Sequence, residues 1–358
     1  MTEHLHRTAL TRPTALESME RCRELVDPAL RRTVHGLHRD VRDVAAYAFG
    51  WCDLDGTARA AGGGKGLRPA LALLTAEAVG GRPEAAVPGA VAVELVHVFS
   101  LLHDDIMDGD EQRRHRETAW KAFGVGRALL AGDALLALAL AALTENVGHL
   151  PPNAVTAATA LLADTLVELV NGQAADAAFE LRPWTGPRAV TVHEYTGMAA
   201  GKTGALLGCA AGLGALLAGA PAPTVAAMTR MGRDLGTAFQ AVDDLLGIWG
   251  DPAVTGKPVF NDLRRRKKTL PLIHALSAGA LGQEIAELLD RPLDTADAEW
   301  TLHRTAALIR KADGDTQTAA QARRDLDRAV AALGTVTTHP GAASDLVALA
   351  EFVADRRH

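Results

Sequence analysis

Three aspartates close together are the first residues in this sequence that suggest chemistry. Asp104, Asp105 and Asp108 stand in the segment HDDIMD, directly after an apolar run over 96–102. On a helix, residues four apart share a face, so Asp104 and Asp108 should lie together with Asp105 beside them. Crowded carboxylates repel one another unless cations neutralise them. Their oxygens suit magnesium bridged to a diphosphate, whereas the alternative is a solvated acidic helix face. The preceding apolar run favours the metal site, because it places the acids at the end of a buried helix.

A second acidic pair follows another apolar helical stretch. Asp243 and Asp244 stand in the segment FQAVDDLLG, which begins at Phe239. One such pair would be weak evidence for a metal site. Two pairs in similar contexts can face each other from two helices and hold a metal cluster between them.

Basic residues accompany these acids. Lys65 and Arg68 stand in GGKGLRP at a predicted helix start, where backbone N–H groups and the helix dipole add to their affinity for anions. Arg113 and Arg114 follow the first acidic segment, and Lys202 and Lys257 each follow a glycine. Neither glycine-lysine pair has the glycine spacing of a P-loop. Each base alone is typical of a protein surface, but together with the acids they predict a metal-and-diphosphate site.

Long helices are needed to position these residues. Alanine and leucine dominate the sequence, aromatic residues make up 4%, and Gly and Pro clusters interrupt it at intervals. The pattern predicts an all-α chain with a loose tail over 1–14 and a single domain over 15–358. The predicted helices cover 15–51, 67–79, 86–108, 124–149, 153–181, 191–219, 223–249, 269–290, 296–312, 315–333 and 341–356.

Composition excludes some functions. The formal net charge of −6 argues against a nucleic-acid partner, and three cysteines without metal-ligand spacing indicate reduced thiols. The first residues lack the apolar core of a secretory signal, so a cytoplasmic location is expected. The apolar run over 203–220 is just long enough to span a membrane. Its Gly and Ala content favours a buried helix instead, so no stable membrane insertion is expected.

Seven segments, in order along the chain, resemble the successive signatures of the polyprenyl synthetase family of trans-isoprenyl diphosphate synthases. They read GGKGLRP, HDDIMD with RRHRETAW, LAGDALL, NGQAADAAFE, GKTGALL, FQAVDDLLG and LRRRKKTLP. The resemblance runs from about residue 19 to the end. It implies the isoprenoid synthase fold, an antiparallel helical bundle around a deep central cavity that both acidic segments face. It also implies a prenyltransferase that condenses isopentenyl diphosphate with an allylic diphosphate by ionisation, condensation and elimination.

The resemblance assigns roles to individual residues. Three magnesium ions are implied, held by Asp104, Asp105 and Asp108 from one wall and by Asp243 and Asp244 from the other. Arg113, Lys202 and Lys257 would hold the allylic diphosphate, and Lys65, Arg68, His97 and Arg114 would hold isopentenyl diphosphate. Thr203 and Gln240 would line the reacting carbons. A homodimer is also implied.

Product length is expected to depend on two residues before the first acids. Phe99 is a single aromatic at the earlier position, Ser100 is small, and nothing is inserted between Asp105 and Asp108. This pattern resembles that of geranylgeranyl diphosphate synthases, with farnesyl diphosphate as the second expectation.

One position departs from the family pattern. Gly247 stands where the second acidic segment usually has a third aspartate, which would weaken metal binding unless Asp251 compensates through water. The departure keeps a non-catalytic partner subunit open as an alternative. A class I terpene cyclase is a further alternative, but it would need no second diphosphate pocket, and the scarcity of aromatic residues argues against it.

Overall fold

The computed structural model describes residues 14–59, 66–144, 152–255, 258–293, 297–334, 336 and 339–354. Within these ranges the chain is almost entirely helical. The helices are α1 (Ala15–His35), α2 (Arg39–Ala48), α3 (Leu67–Ala78), α4 (Val87–Met107), α5 (Ala119–Phe123), α6 (Val125–Ala142), α7 (Pro152–Glu180), α8 (Val192–Ala199), α9 (Ala205–Leu217), α10 (Ala222–Trp249), α11 (Pro252–Thr255), α12 (Asn261–Arg264), α13 (Leu270–Leu276), α14 (Ala280–Leu289), α15 (Ala298–Lys311), α16 (Gly314–Leu333) and α17 (Pro340–Ala354). A 3₁₀ turn (Pro83–Ala86) precedes α4, and a π turn (Ala200–Gly204) joins α8 to α9.

Two predicted helices are each divided in the structure. The stretch predicted as 15–51 ends its first helix at His35 and resumes at Arg39, and the stretch predicted as 269–290 is divided between α13 and α14. At the second break, Gly279 has φ +59°, a left-handed conformation that an L residue with a side chain rarely adopts. Thr14, which the sequence assigns to the loose tail, instead caps α1 through a capping box with Glu17. The single-domain assignment of 15–358 stays a prediction.

Helix α10 organises the core. It packs against α9 and α16, while α9 also contacts α3 and α7, and α4 packs against α6. Met228 and Leu235 of α10 belong to the main hydrophobic cluster, Ile248 to the cluster under the C-terminal helices, and Val242 to a third cluster against α8 and α13. One continuous helix therefore connects the three clusters and sets where its own acidic pair lies.

Among the described residues, four helical segments are long and apolar enough, by length and composition, to cross a membrane. Two of them, Pro83–Met107 and Val192–Leu217, have 61% and 78% of their most apolar window buried inside the protein. The second contains most of the apolar run over 203–220, so neighbouring helices cover that run as expected. The other two, in α6 and α7, have only 33% and 22% buried and present apolar faces outward.

A small hairpin follows α4. Strands β1 (Gln112–Arg113) and β2 (Arg116–Glu117) pair antiparallel, and the two residues between them, Arg114 and His115, have φ +51° and +61°. A two-residue turn with positive φ at both positions matches the twist of the strands but is usually built from Asn and Gly. The hairpin therefore holds Arg113 and Arg114 in fixed positions beside the end of α4.

Candidate active site

The first acidic segment lies at the C-terminal end of α4, as the sequence predicts. Asp104 and Asp105 belong to its last turn, and Asp108 is the residue at which the helix ends. Burial raises the pKa of Asp104, while Lys202 from the π turn opposes the rise and the neighbouring Asp108 adds to it. Lys202 therefore lies within electrostatic range of Asp104, although it is almost a hundred residues away along the chain.

The other two acids of this segment are each paired with a base. The Nε atom of Arg113 donates to Asp105 Oδ1 over 2.8 Å, and Asp105 is buried. Lys267 Nζ donates to Asp108 Oδ2 over 2.7 Å. Burial acts to raise the pKa of Asp108, but Lys267, together with Lys202 and Arg265, outweighs it and holds that pKa below its usual value. In this state bases neutralise carboxylates for which metal binding is predicted.

The second acidic pair divides into two different environments. Asp244 is buried, and its oxygens accept hydrogen bonds from the Tyr195 hydroxyl, the Leu270 backbone N–H at 2.8 Å and the Gln240 amide at 3.0 Å. Burial raises the pKa of Asp244 to about 7, and these three donors limit the rise. Asp243 is only partly buried. Adjacent helical residues project about 100° apart, so the two carboxylates face different directions. Because Asp244 is buried and engaged by three donors, Asp243 is the better candidate for a metal ligand.

The π turn presents Lys202 and Thr203 to the same region. Lys202 Nζ donates to Asp176 Oδ2 of α7 over 2.6 Å, and the Thr203 hydroxyl donates to Gln240 Oε1 over 2.8 Å. Through Gln240, Thr203 is linked to Asp244. Wide turns of this kind occur frequently at functional sites, because they displace side chains from the regular helix face.

Glycine at position 172 allows this turn to approach α7. A Cβ atom on Gly172 would lie 2.3 Å from the backbone nitrogen of Lys202 and 2.8 Å from the carbonyl carbon of Gly201. Both are backbone atoms, which cannot move aside as a flexible side chain could. The contact therefore fixes how far Lys202 stands from Asp176.

Three of the residues predicted to hold isopentenyl diphosphate, Arg68, His97 and Arg114, interact electrostatically in the structure. Burial lowers the pKa of His97 well below its usual value, and the positive charges of Arg68, Arg114 and Arg113 lower it further, so the imidazole is neutral. Glu94, one turn earlier on α4, has its pKa raised by burial, against the opposing influence of Arg68 and Arg114. Arg68 of α3 and Arg114 of the hairpin thus both bring positive charge to this part of α4. Lys65 and Lys257 lie outside the described residues.

The two residues predicted to set product length lie one turn below the acids. The Phe99 ring is buried and meets the His103 ring edge to face, with 4.8 Å between their centroids. Ser100 is partly buried, and its hydroxyl donates to the His97 carbonyl over 2.8 Å.

The space at Gly247 is filled by a carboxylate from another helix. A Cβ atom on Gly247 would lie 1.9 Å from Oδ2 of Asp262 in α12. The acid next to Gly247 is therefore Asp262. Asp251, which the sequence suggested as the compensating acid, accepts a hydrogen bond from the backbone N–H of Ala253 over 2.8 Å. Because Asp262 is not near Gly247 in sequence, its approach could not be predicted from spacing.

Sequence reasoning also missed several residues that contact the predicted ones. Asp176 stands in the segment NGQAADAAFE, and Tyr195 stands seven residues before Lys202, two helical turns away on the same face. The segment that contains Asp176 and the spacing of Tyr195 from Lys202 were signals available in the sequence. Lys267 lies in the basic run over 264–268, and its contact with the Asp108 carboxylate is what relates it to the acids.

The donor set fits magnesium shared with a diphosphate. Within the described ranges, no three acidic, histidine or cysteine side chains form a ready-made metal cage. Magnesium typically takes one or two carboxylates, several waters and substrate phosphate oxygens. Asp104, Asp108 and Asp243 would supply such carboxylates, and the bases around them would meet the phosphates.

Several known proteins resemble this chain over most of its length. The model of the polyprenyl synthetase family matches residues 56–303. The chain is 43% identical over 337 residues to a (2E,6E)-farnesyl diphosphate synthase of Mycobacterium bovis, covering 93% of this chain and 91% of the relative. It is 43% identical over 341 residues to a geranylgeranyl diphosphate synthase of Mycobacterium tuberculosis, covering 94% and 93%. The crystal structure of a polyprenyl synthetase from Streptomyces coelicolor matches with a TM-score of 0.87 and 48% identity, over 94% of this chain and 98% of that one.

The chain belongs to the polyprenyl synthetase family. More particularly, the protein is a trans-prenyltransferase of the prenyl diphosphate synthase type. These findings confirm the family and the activity class predicted from the seven segments, and the structural match confirms the all-α isoprenoid synthase fold.

Proposed function

We propose that the enzyme condenses isopentenyl diphosphate with an allylic diphosphate and releases geranylgeranyl diphosphate. The observation that carries this proposal is the presence of two separate groups of cationic side chains beside one acidic helix end. Lys202 and Lys267 act on Asp104 and Asp108, whereas the positive charges of Arg68 and Arg114 act on His97. A reaction between two diphosphate substrates needs two such positions.

The roles of the residues follow from charge. Members of this family generally depend on magnesium, and three bound ions would neutralise the allylic diphosphate as it leaves. Asp104, Asp108 and Asp243 would hold these ions. Asp105 would instead stay paired with Arg113, and Asp244 would connect α10 to α8 and α13 through its hydrogen bonds. Lys202, Lys257, Lys267 and Arg113 would bind the allylic diphosphate, and Lys65, Arg68, Arg114 and the neutral His97 would bind isopentenyl diphosphate.

The reacting carbons would meet between these positions. Ionisation leaves an allylic carbocation, which the double bond of isopentenyl diphosphate attacks, and a proton then passes to the departed diphosphate. The hydrogen-bonded Thr203 and Gln240 would turn oxygen atoms toward the cation, and preorganised dipoles of this kind stabilise developing charge. A class I terpene cyclase would need only one diphosphate position, so the cluster around His97 counts against that alternative.

The proposal is tested by product analysis. The purified enzyme is incubated with magnesium, labelled isopentenyl diphosphate and, separately, dimethylallyl, geranyl and farnesyl diphosphate. We expect mass spectrometry to show geranylgeranyl diphosphate as the longest main product from each starter. A main product of fifteen carbons would replace the proposed chain length with the second expectation. No labelled product from any starter would favour a non-catalytic partner subunit.

Product length should respond to the two residues below the acids. Ser100→Phe places a ring four residues before Asp104, on the same helix face and about 6 Å deeper. We expect it to shorten the main product, and we expect Phe99→Ala to lengthen it, as judged by mass spectrometry under identical conditions. If neither substitution changes the product distribution, the floor of the cavity lies elsewhere, with α6 as the next element to vary.

We also propose that the enzyme is a cytoplasmic homodimer whose interface includes α6 and α7. Leu130 on α6 and Val167 on α7 are 60% and 62% exposed, and both helices have mean hydropathy like that of the buried ones. A second copy would cover such faces with a twofold axis. Light scattering should report twice the 37.5 kDa chain mass, and Leu130→Glu should shift the mass toward one chain. A monomeric wild-type enzyme, or one recovered only with membranes, would contradict this proposal.

A further inference from the structure

The basic run over 264–268 contains three arginines, and each of them makes different contacts. Arg264 lies at the surface and pairs with Glu299, with 2.7 and 2.9 Å between its NH2 atom and the two carboxylate oxygens. Arg266 donates to the Arg291 carbonyl over 2.7 Å. Arg265 extends to the segment that follows the first acidic helix. It therefore connects two parts of the site that are more than 150 residues apart in sequence.

Arg265 uses both of its terminal nitrogens there. NH1 donates to the Asp110 carboxylate, and NH2 donates to the backbone carbonyl of Asp108 over 2.7 Å. Arg265 is only 25% exposed and Asp110 only 16%. Charge-assisted contacts through two nitrogens fix geometry as well as energy, because the guanidinium is planar.

Asp110 is itself tied into the surrounding structure. Its backbone N–H donates to the Asp105 carbonyl over 2.9 Å. Its own carbonyl accepts from the Thr118 hydroxyl at 2.6 Å and from the Trp120 ring nitrogen at 2.8 Å. Arg265 therefore holds a segment that joins the end of α4 to the hairpin carrying Arg113 and Arg114.

A bound metal ion would affect the contacts of Lys267 and Arg265 differently. Lys267 occupies Asp108 Oδ2 itself, so it would compete with a magnesium ion for that oxygen. Arg265 uses the Asp108 carbonyl and the Asp110 carboxylate, and its nearest approach to Asp108 Oδ2 is 4.0 Å. Its hydrogen bonds can therefore persist while Asp108 exchanges Lys267 for metal.

We propose that Arg265 is a positioning residue that holds the segment 108–110 against the loop carrying Lys267, so that Asp108 and Lys267 stand on opposite sides of a magnesium–diphosphate unit. This inference rests on the proposed function, since it presumes that magnesium and diphosphate bind beside Asp108. Residues that orient metal ligands typically change metal affinity by about 10–100-fold when they are removed.

The test compares Arg265→Ala with Arg264→Ala, a matched loss of one arginine from the same run. Calorimetric titration of inorganic diphosphate in the presence of magnesium measures binding without turnover. We expect Arg265→Ala to weaken this binding at least about tenfold. Arg264→Ala should remain within about twofold, because exposed ion pairs contribute little. The diphosphate affinity of Arg265→Lys should lie between those of the wild type and Arg265→Ala, because lysine keeps the charge but loses the planar pair of donors.

Amide hydrogen exchange in the metal-free protein separates positioning from direct binding. We expect Arg265→Ala to speed exchange within 108–118 and to leave α9 and α16 unchanged. Asp110→Asn should have a smaller effect in the same direction, because it leaves the bond from Arg265 to the Asp108 carbonyl, and the double variant should resemble Arg265→Ala. Weakened diphosphate binding with unchanged exchange would overturn the positioning role, as would an Arg265→Ala variant that behaves like Arg264→Ala.

The two proposals can fail separately. A wild-type enzyme that forms no labelled product contradicts the proposed function, whatever Arg265 does. The exchange measurement needs neither metal nor substrate, so it still decides whether Arg265 holds the segment 108–110.

Discussion

Replacing Asp104 by alanine is expected to lower turnover by roughly 10²–10³-fold or more, the range seen when one group that stabilises developing charge is removed. Asp104 stands at the end of α4, close to Asp108 and to Lys202 from the facing π turn. Its loss would remove a ligand of the magnesium that neutralises the diphosphate, and Asp105 could not replace that ligand, because it is already engaged with Arg113.

The same substitution should not weaken the fold. Burial raises the pKa of Asp104, which means that its ionised form is held in an unfavourable environment. Alanine is also a better helix former than aspartate. We therefore expect the thermal unfolding midpoint of Asp104→Ala to equal or exceed that of the wild type. This combination of stable fold and lost turnover distinguishes a metal ligand from a structural acid.

A surface acid provides the control. Asp327 on α16 is 62% exposed and pairs with Arg323 four residues earlier, at 3.0 Å. Asp327→Ala should change turnover by less than about twofold, since exposed pairs of this kind contribute only a few tenths of a kcal/mol. The measurements are steady-state rates over a magnesium titration and thermal unfolding of each variant. An Asp104→Ala enzyme that is folded and turns over within tenfold of the wild type would remove Asp104 from the metal site.

The comparison of sequence with structure shows which features local patterns can predict. Most helix bounds were predicted within a few residues, because long apolar runs are separated by Gly and Pro clusters. The break between α1 and α2 was missed, since Gly36, Leu37 and His38 include only one residue that favours a helix end. The break between α13 and α14 depends on one glycine with positive φ.

In the candidate site, too, local spacing predicts some features and leaves out the contacts between residues that are distant in sequence. The aspartates of α4 were found because helical spacing alone places them on one face. The contacts of Arg265 and Lys267 with the end of that helix join residues about 150 positions apart, and no spacing rule reaches so far. Asp244 illustrates an intermediate case. The resemblance assigned both Asp243 and Asp244 to the metal, but adjacent helical residues project about 100° apart, and the three hydrogen bonds that engage Asp244 depend on tertiary contacts.

The largest effect on structure is expected from a single methyl group at Gly172. In Gly172→Ala the new Cβ would lie 2.3 Å from the Lys202 backbone nitrogen and 2.9 Å from its Cα atom. Since the obstacle is backbone, the π turn must move away from α7. We expect a loss of about 1–3 kcal/mol in the free energy of unfolding, as is typical of overpacking a close contact. Turnover should fall as well, because the shift displaces Lys202 from Asp176 and Thr203 from Gln240.

Gly197→Ala supplies the matched control, and we expect it to increase the free energy of unfolding. Gly197 lies inside α8, only a few residues before the π turn, and a Cβ atom there would meet nothing within 4 Å. Replacing an unobstructed helical glycine by alanine typically stabilises a protein by about 0.5–1 kcal/mol, because alanine loses less backbone freedom on folding. Urea unfolding measures both changes, and steady-state rates show whether turnover falls only for position 172. If both variants are stabilised and fully active, then α7 and the π turn do not approach as closely as the structure shows, and the placement of Lys202 must be revised.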